Sequence, residues 1–384
     1  MQARTLPVRC LFVDRGLNFH GGVTKALLNL ARSASRQQLH IEIGSLERPS
    51  PEMLGEFGAL GVPVHHVGDQ GALRPALALR RVLRASRPQL VVCNSFRSYL
   101  VAKLAAAGLA VRLLFWVHGI NELVSSGPKA RLYRQLARRD TLIFISEAVR
   151  QVNLPPGHAG RHHVIYHGVE DPFRVGKWRP YGRERREELG LSPEDSVLLY
   201  VASFEAYKDH RTLLLAFDTL ARQHPRLRLV LVGRGEGWQA MRDLAATLPH
   251  GDRVRFLGPR PDARLLLGVA DLYVHPCYVE GFGLAVVEAM LAGLPVVAAA
   301  GGGLPEVVQD GVTGLLFAPQ SAEDLGRQIG RLLEDPALAR RLGTAAHDHA
   351  AKRFSPERFA DQMTRALLAE VGAADAAAPA WGPA

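Results

Sequence analysis

The sequence contains no apolar run long enough to cross a membrane, and its first apolar run is so short that we expect no amino-terminal secretory signal. No stretch approaches the roughly 18 consecutive apolar residues of a membrane helix, and the first apolar run is interrupted by Asp14. Cysteine is scarce, because only Cys10, Cys93 and Cys277 are present and they lie far apart. An odd, dispersed set argues against a disulfide framework. We therefore expect a protein of the reducing cytoplasm.

No basic motif interleaved with aromatic residues accompanies the basic half of the chain, which argues against nucleic acid as a partner. The net charge of +10 is unevenly placed: residues 1–174 carry 23 Lys and Arg against 11 Asp and Glu, whereas residues 175–384 carry 24 against 26. Two stretches, 74–88 and 129–140, mix arginines with apolar residues. This pattern is typical of a helix face that lies on an anionic membrane, and a simply solvated, arginine-rich face is the alternative.

Short apolar segments, predicted to be strands, alternate with longer amphipathic segments, predicted to be helices. One of these predicted helices spans residues 263–270. This alternation is typical of parallel α/β units. The alternation breaks in a stretch rich in proline and charge and then resumes. We predict an α/β fold with two Rossmann-like domains facing across a cleft. Its parts are an amino-terminal domain (1–172), a linker (173–195), a carboxy-terminal domain (196–354), a helix crossing back to the first domain (355–372) and a disordered tail (373–384).

The stretch HPCYVEGFGLAVVEAMLAGLPVVAAAGGGLPEVV (275–308) places two carboxylates in apolar surroundings. Glu280 lies in a glycine-punctuated loop after a predicted strand, and Glu288 lies about one turn inside the following helix. Open α/β sheets bind ligands beyond the carboxyl ends of their strands. The glycines let the backbone approach a ligand, and the helix that begins near Leu284 offers free N–H groups to a phosphate.

Two carboxylates beside a phosphate-binding turn suit a ligand with hydroxyl groups at both ends. A carboxylate accepts hydrogen bonds from both hydroxyls of a diol, so one carboxylate fits a sugar and the other fits a ribose. A nucleotide-sugar has this layout. The alternative is a helix with incidental glutamates beside a glycine-rich turn.

Four motifs resemble those of the retaining GT-B glycosyltransferases of family 4, also called glycosyl transferases group 1. They are E-G-F-G-x-x-x-x-E-A-M, G-x-P-V-V-A, G-G-x-P-E-V-V and D-G-x-T-G-L-L, and the resemblance is densest over residues 197–318. It implies transfer of a sugar from a nucleotide-sugar with retained anomeric configuration, usually without a metal. The chain also has no D-x-D sequence. We therefore expect no cofactor and no metal ion.

The resemblance assigns roles to the residues of this stretch and to a turn before it. Glu288 would hold the ribose diol, and Glu280 would hold hydroxyls of the transferred sugar. The other expected contacts are made by the backbone: the sugar and diphosphate would meet Phe282, Gly283 and Leu284, and the nucleobase edge would meet Pro259 and Arg260.

The segment YVASFEAYKDH (200–210) corresponds to the family's phosphate clamp, and here the sequence departs from the pattern. Ser203 replaces the usual arginine, and Glu205 stands where a second arrangement has one. Only Lys208 keeps a positive charge for the diphosphate, without the fork of an arginine. Arg234 is a candidate to complete the clamp.

In the amino-terminal domain, Gly21 and Gly22 resemble the family's glycine loop, which meets the diphosphate and the acceptor when the cleft closes. His118 ends a strand at the family's H-G or H-D position, so we expect it to bond to the donor sugar or to align the acceptor. The alternative is a structural histidine. His167 stands where the family more often has asparagine.

The resemblance implies a hexosyltransferase that moves a sugar from a UDP- or GDP-sugar to a hydroxyl of a glycan or lipid-linked acceptor. The expected pathway is bacterial surface polysaccharide or glycolipid synthesis, in the cytoplasm and peripherally on the inner face of the cell membrane. Positive charge would stabilise the departing diphosphate, and the acceptor would attack from the same face. The alternatives are a non-catalytic nucleotide-sugar-binding protein with a degraded phosphate clamp and a GT-B epimerase.

Overall fold

A computed structural model of the protein describes residues 6–17, 22–68, 70–120, 127–171, 182 and 185–375. The chain divides into two units. Unit 1 comprises Met1–Gly168 and Pro356–Ala384, and unit 2 comprises Val169–Ser355. Among the described residues, no helix is both long enough and apolar enough to span a bilayer.

A parallel sheet of seven strands forms the centre of unit 1. The strand order is β3-β2-β1-β4-β5-β6-β7, and every neighbouring pair is parallel. The central strands are continuous apolar runs because a parallel sheet is covered on both faces. The strands are β1 (Val8–Asp14), β2 (Leu39–Ser45), β3 (Val64–His66), β4 (Leu90–Cys93), β5 (Arg112–Val117), β6 (Thr141–Phe144) and β7 (His162–Val164).

Helices connect these strands, and serines begin three of them. Ser50, Ser95 and Ser146 each accept a hydrogen bond from a backbone N–H of the first turn, as helix N-caps do. The helices are α1 (Gly22–Ser33), α2 (Pro51–Ala59), α3 (Leu73–Ser86), α4 (Phe96–Ala106), α5 (Pro128–Leu136) and α6 (Glu147–Asn153).

The last helix of the chain, α13 (Pro356–Asp375), belongs to unit 1. Its Glu370 is almost fully buried and accepts hydrogen bonds from Arg112 Nη1 at 2.9 Å and Thr141 Oγ1 at 2.8 Å. These partners are the first residues of β5 and β6, so Glu370 fixes the helix to the sheet. The helix includes residues 373–375, which the sequence assigned to a disordered tail. Alanine-rich sequence favours helix there, and the rest of the tail lies outside the described residues.

Unit 2 contains a parallel sheet of six strands in the order β10-β9-β8-β11-β12-β13. Its strands are β8 (Ser196–Val201), β9 (Leu227–Val232), β10 (Val254–Gly258), β11 (Leu272–His275), β12 (Val296–Ala299) and β13 (Leu315–Phe317). Its helices are α7 (His210–Ala221), α8 (Trp238–Thr247), α9 (Leu284–Leu291), α10 (Leu304–Val307), α11 (Ala322–Glu334) and α12 (Pro336–Arg353). All strands predicted from apolar runs are therefore present in the two sheets.

The predicted helix at 263–270 is wrong. The segment forms only a short 3-10 turn, Leu265–Val269. Four of its five residues are buried, so the turn has no polar face of the kind that an amphipathic α-helix presents to water. Asp271 N then bonds to Val197 O at 2.9 Å, which starts the next strand and ends the turn.

About half of the predicted linker, 173–195, lies outside the described residues, and its end packs into unit 2. Arg186 is fully buried: its guanidinium donates to Val269 O at 3.0 Å and Asp195 O at 2.7 Å, and it pairs with Asp271 Oδ2 at 2.8 Å. A buried guanidinium is tolerated when its donors are satisfied in this way. The segment from residue 185 onward is therefore part of the folded unit.

Candidate functional site

The order of the sheet in unit 2 reverses between β8 and β11. The chain continues from β8 to β9 and β10 on one side, and from β11 to β12 and β13 on the other. The loops after β8 and β11 diverge at such a point and leave a crevice at the carboxyl edge, which is where open α/β sheets bind ligands. Lys208 follows β8 and Glu280 follows β11, so both predicted donor-binding residues lie at this edge.

A salt bridge joins the two loops. Lys208 Nζ donates to Glu280 Oε2 at 2.7 Å, and His275 Nε2 lies 3.3 Å from the same oxygen. The side chains of Lys208 and Glu280 are 16% and 18% exposed, so the pair is sheltered but reachable by a ligand. The Tyr200 hydroxyl donates to the Lys208 carbonyl at 2.8 Å and fixes the lysine's backbone.

The three groups at this salt bridge set one another's protonation. Burial opposes ionisation of Glu280, but the hydrogen bond from His275 and the charge of Lys208 lower the pKa of Glu280 well below its usual range. Burial also disfavours charge on Lys208, yet the Glu280 carboxylate raises the lysine's pKa. Burial lowers the pKa of His275. At neutral pH the cluster therefore holds an ammonium, a carboxylate and a neutral imidazole that donates through Nε2.

Glycine shapes the turn between Glu280 and helix α9. Gly283 precedes the helix with φ of +94°, and a Cβ at this position would lie 2.8 Å from Leu304 Cδ2. Gly283 is the N-cap of α9 and has no side chain to accept a hydrogen bond from the first turn, so N–H groups at the start of the helix can be offered to a bound anion. Phe282 is buried and packs edge-on against Phe354, with ring centroids 5.2 Å apart. Leu284 begins the helix, as predicted.

Glu288 lies inside α9 and is paired with an arginine. The residue is 8% exposed, and its Oε1 accepts a hydrogen bond from Arg264 Nε at 2.7 Å. Arg264 Nη2 also contacts this oxygen. The sequence did not point to Arg264, because its segment was predicted to be an ordinary amphipathic helix. The ion pair holds the Glu288 carboxylate in one orientation.

The loop after β8 carries a carboxylate in place of an arginine. Ser203 Oγ donates to Glu205 Oε2, and Phe204 N donates to Arg234 O at 3.1 Å, which ties this loop to the loop after β9. The Arg234 residue is exposed on that second loop. Lys208 is thus the member of the predicted clamp segment that carries positive charge.

The predicted nucleobase turn follows β10. Pro259 is exposed, and Arg260 forms a two-fold ion pair with Asp262, with N–O distances of 2.7 and 2.6 Å. Because the guanidinium is paired with Asp262, the predicted contact with the nucleobase is left to the backbone of this turn.

In unit 1, His118 follows β5 and stacks on His167. The rings lie 5.3 Å apart and 16° from parallel, and His118 Nδ1 is 3.4 Å from His167 Nε2. Trp116 packs against His118 at 4.5 Å. Burial lowers the pKa of His167 to about 4 and that of His118 well below its usual value, so both rings are neutral near pH 7. Of the glycine loop, Gly22 begins α1, and Gly21 lies outside the described residues.

The sheet of unit 1 also reverses its order, between β1 and β4. Asn94 follows β4 at this position and is 3% exposed. Neither its amide nitrogen nor its amide oxygen has a hydrogen-bond partner within the part of the chain that the structure describes. The sequence did not point to Asn94 or His275 either, because single polar residues at strand ends carry no distinctive pattern.

Comparison with known families gives matches over both halves of the chain. The model for glycosyl transferases group 1 matches residues 183–349, and the model for glycosyltransferase family 4 matches residues 20–171. These are the families that the motifs resemble.

Curated relatives carry the name D-inositol 3-phosphate glycosyltransferase. The relative from Segniliparus rotundus is 30% identical over 378 residues, which cover 89% of this chain and 83% of its own length. The relative from Nocardia farcinica is 40% identical over 215 residues, which cover 53% of this chain and 47% of its own length. The chain thus spans about half the length of the second relative.

Solved structures share the fold. The crystal structure of Anabaena HepE in complex with UDP and glucose has a TM-score of 0.80 and 25% identity, covering 94% of this chain and 99% of HepE. The glycosyltransferase WaaG, involved in lipopolysaccharide biosynthesis, has a TM-score of 0.69 at 18% identity, covering 92% of this chain and 98% of its own. The similarity to WaaG, at 18% identity, shows the fold alone.

Proposed function

Because the chain belongs to the glycosyl transferases group 1 family and has its two-domain GT-B fold, we propose that it transfers a sugar from a nucleotide-sugar to an acceptor hydroxyl, with retained anomeric configuration. The observation that carries the proposal is the Lys208–Glu280 salt bridge at the switch point of the unit 2 sheet. It places a cation and a carboxylate beside the glycine turn that begins α9, and a diphosphate joined to a sugar needs both kinds of partner.

The proposed donor is a UDP-sugar. Anabaena HepE, 25% identical, has been crystallised with UDP and glucose, which supports a uridine nucleotide here. We assign the ribose diol to Glu288 and the sugar hydroxyls to Glu280. Backbone N–H groups of Phe282, Gly283 and Leu284 then face the diphosphate, and Pro259 and Arg260 face the nucleobase.

In the proposed chemistry, the bond between the sugar's anomeric carbon and the diphosphate oxygen breaks as the acceptor oxygen attacks from the same face. Lys208 compensates the charge that develops on the departing diphosphate. Its ammonium first has to exchange its Glu280 partner for phosphate oxygens, which frees the Glu280 carboxylate for sugar hydroxyls. The acceptor proton passes to the leaving diphosphate, so the reaction needs no protein nucleophile and no metal.

The proposed acceptor is a glycan or a lipid-linked hydroxyl compound. The relatives' name indicates a phosphorylated polyol as their acceptor, and the basic excess of residues 1–174 suits an anionic acceptor or an anionic membrane. We place the enzyme in surface polysaccharide or glycolipid synthesis on the inner face of the cell membrane, with His118 beside the donor sugar or the acceptor.

A screen of UDP-, GDP- and ADP-sugars by thermal shift, followed by transfer assays, tests the proposal. We expect UDP-sugars to raise the melting temperature most, and activity to persist in excess EDTA. The anomeric configuration of the product, read by NMR, should match that of the donor. No stabilisation by any nucleotide-sugar would refute the donor site, and loss of activity in EDTA with rescue by a divalent ion would refute the metal-free chemistry.

A second candidate is a binding protein that does not turn over its nucleotide-sugar. The observation that favours it is Glu205, which brings a negative charge to the loop where the family clamps the diphosphate. The variant Glu205→Arg should strengthen UDP binding in either case. Transfer or hydrolysis by the unmodified protein supports the enzyme, whereas binding without turnover for all donors and acceptors supports the second candidate.

A further inference from the structure

We propose that His275, Cys277 and Glu280 form a binding site for a zinc-like divalent ion, and that this ion excludes the nucleotide-sugar. One ring nitrogen of His275, the Cys277 sulfur and one Glu280 oxygen all lie within 4.8 Å of one another. The second part of the proposal, the exclusion of the donor, rests on the proposed function of the same crevice.

The sequence brings these three ligands together at one strand end. His275 is the last residue of β11, and Cys277 follows two positions later, so in extended chain both side chains leave on the same side. The turn that follows returns Glu280 to this side, where its Oε2 lies 3.3 Å from His275 Nε2. Two ligands of one tetrahedral zinc ion are about 3.3 to 3.5 Å apart, given Zn–N and Zn–O bonds of about 2.0 to 2.1 Å. That pair already has the required spacing.

The chemistry of the three ligands selects the kind of ion. Sulfur, imidazole nitrogen and carboxylate oxygen are zinc ligands, whereas Mg²⁺ and Ca²⁺ prefer oxygen alone. Three protein ligands leave the fourth tetrahedral position open, as in zinc sites that bind a small molecule. His275 is 2% exposed and Cys277 is fully buried. Within the described residues, His275 Nδ1 has no hydrogen-bond partner, so it can take the ring proton when Nε2 binds the ion.

Lys208 is the natural competitor for this site, because its ammonium lies 2.7 Å from Glu280. A divalent ion would replace it as the partner of the carboxylate. The lysine has a flexible stem and is partly exposed, so it can move to solvent. On binding, the ring proton of His275 moves from Nε2 to Nδ1, the Cys277 S–H bond breaks with release of its proton to the buffer, and Zn–N and Zn–S bonds form.

The proposed consequence is reversible inhibition. An ion on Glu280 removes the carboxylate assigned to the sugar and fills the space beside Lys208. Zinc should therefore raise the apparent Kd for UDP-sugar, and chelation should restore it. A chelator would then leave activity unchanged or increase it, which is the opposite of a metal-dependent transferase.

Binding of the metal alone to the full chain tests the site. We expect calorimetric titration of the chelator-treated protein with ZnCl₂ to show one tight site that Mg²⁺ does not compete for. Replacing zinc with Co²⁺ should give thiolate-to-cobalt charge-transfer absorption. Cys277→Ser should abolish that absorption and weaken zinc binding by about tenfold or more. Lys208→Met should strengthen zinc binding, because it removes the competing charge.

Cys93→Ser is the matched control, since Cys93 is equally buried but lies in unit 1; it should leave the cobalt spectrum unchanged. His275→Gln provides a second ligand variant, with folding checked by circular dichroism. Absence of the cobalt–thiolate absorption, or its persistence in Cys277→Ser, overturns the site. Zinc binding without any UDP binding would instead refute the proposed function, and UDP binding that zinc leaves unchanged would refute only the inhibition.

Discussion

Glu280 and Glu288 differ in their partners, and we expect substitutions of them to differ in kinetic effect. Glu280 is bonded to Lys208 and His275. Glu280→Gln keeps the volume but removes the charge, so Lys208 is released for the diphosphate. We expect UDP affinity to be retained or increased while kcat falls at least about tenfold, because a contact to the transferred sugar is lost. Glu323→Gln, exposed on α11, is the control. An equal loss of UDP affinity would contradict the assignment.

Glu288 is held by Arg264 on the other side of the turn. Glu288→Ala should weaken UDP binding by about 1 to 3 kcal/mol, because the ribose hydroxyls lose their acceptor in a buried setting. The fold should survive, since Arg264 is partly exposed and can be hydrated. Arg264→Gln is the companion variant: it keeps the carboxylate and should cost less affinity. Calorimetry with UDP measures both, and unchanged binding in Glu288→Ala would reject the ribose role.

His167 makes the folding stability of unit 1 depend on pH, and this dependence can be measured without substrate. Burial lowers its pKa from 6.5 to about 4, so the unfolded chain binds the proton more tightly than the folded chain does. Stability from the neutral ring is therefore complete above pH 6.5 and is lost as pH falls toward 4, by up to about 3 kcal/mol. His167→Asn, which installs the residue more usual in the family, should flatten this part of the profile. Denaturant unfolding between pH 4 and 7 is the measurement, and an identical slope in the variant would contradict the prediction.

At the scale of elements, the turn before α9 is shaped by Gly283, where any side chain would meet both backbone strain and a close neighbour. Gly283→Ala combines a φ of +94° with a contact of 2.8 Å to Leu304. Gly293→Ala is a matched control, because Gly293 also has positive φ, +73°, but has open space around it. We expect about 1 to 2 kcal/mol of destabilisation in the control from backbone strain. The Gly283 variant should lose more stability and, unlike the control, should lose UDP binding. Equal effects in the two variants would show that the turn has no role in the ligand site.

The strands were predictable from sequence because each one is a short apolar run bounded by turn residues. VRCLFVD and SVLLYVAS each became an interior strand of a sheet. The segment ARLLLGVA was predicted to be a helix because its apolar residues fit a helical period equally well. The sequence does not reveal the hydrogen bond from Asp271 N to β8 that ends this segment as a short turn. The crevice residues Lys208 and Glu280 were predicted from motifs. Their pairing with His275 was not, because it depends on the order of strands and the path of two loops.

At the scale of the whole chain, the motifs predicted the family and the two-domain α/β fold, and the comparisons confirm both. The sequence did not predict that Arg186 packs into unit 2. A charged, proline-rich segment resembles a linker, and only the structure shows the buried partners of Arg186. The roles of individual site residues stay predictions that the variants above address.

The basic excess of residues 1–174 leads to the last prediction, on membrane attachment. Of the arginines in and after α3, Arg80 is bound to the carbonyls of Ala105 and Ala107 at 2.8 and 2.7 Å, so it serves the fold. Arg81, Arg84 and Arg87 are exposed. Each basic residue near an anionic leaflet contributes about 1 kcal/mol, so these three together change vesicle binding by roughly a hundredfold.

We therefore expect the protein to sediment with anionic vesicles at low salt, and to dissociate as salt screens the charges. Neutral vesicles should not bind it. The double variant Arg81→Glu, Arg84→Glu should lose sedimentation with anionic vesicles. Arg340→Glu, Arg341→Glu makes the same change in net charge on exposed residues of α12 in unit 2 and should keep it. If both variants lose binding equally, the attraction follows net charge alone, and α3 is a solvated face rather than a membrane surface.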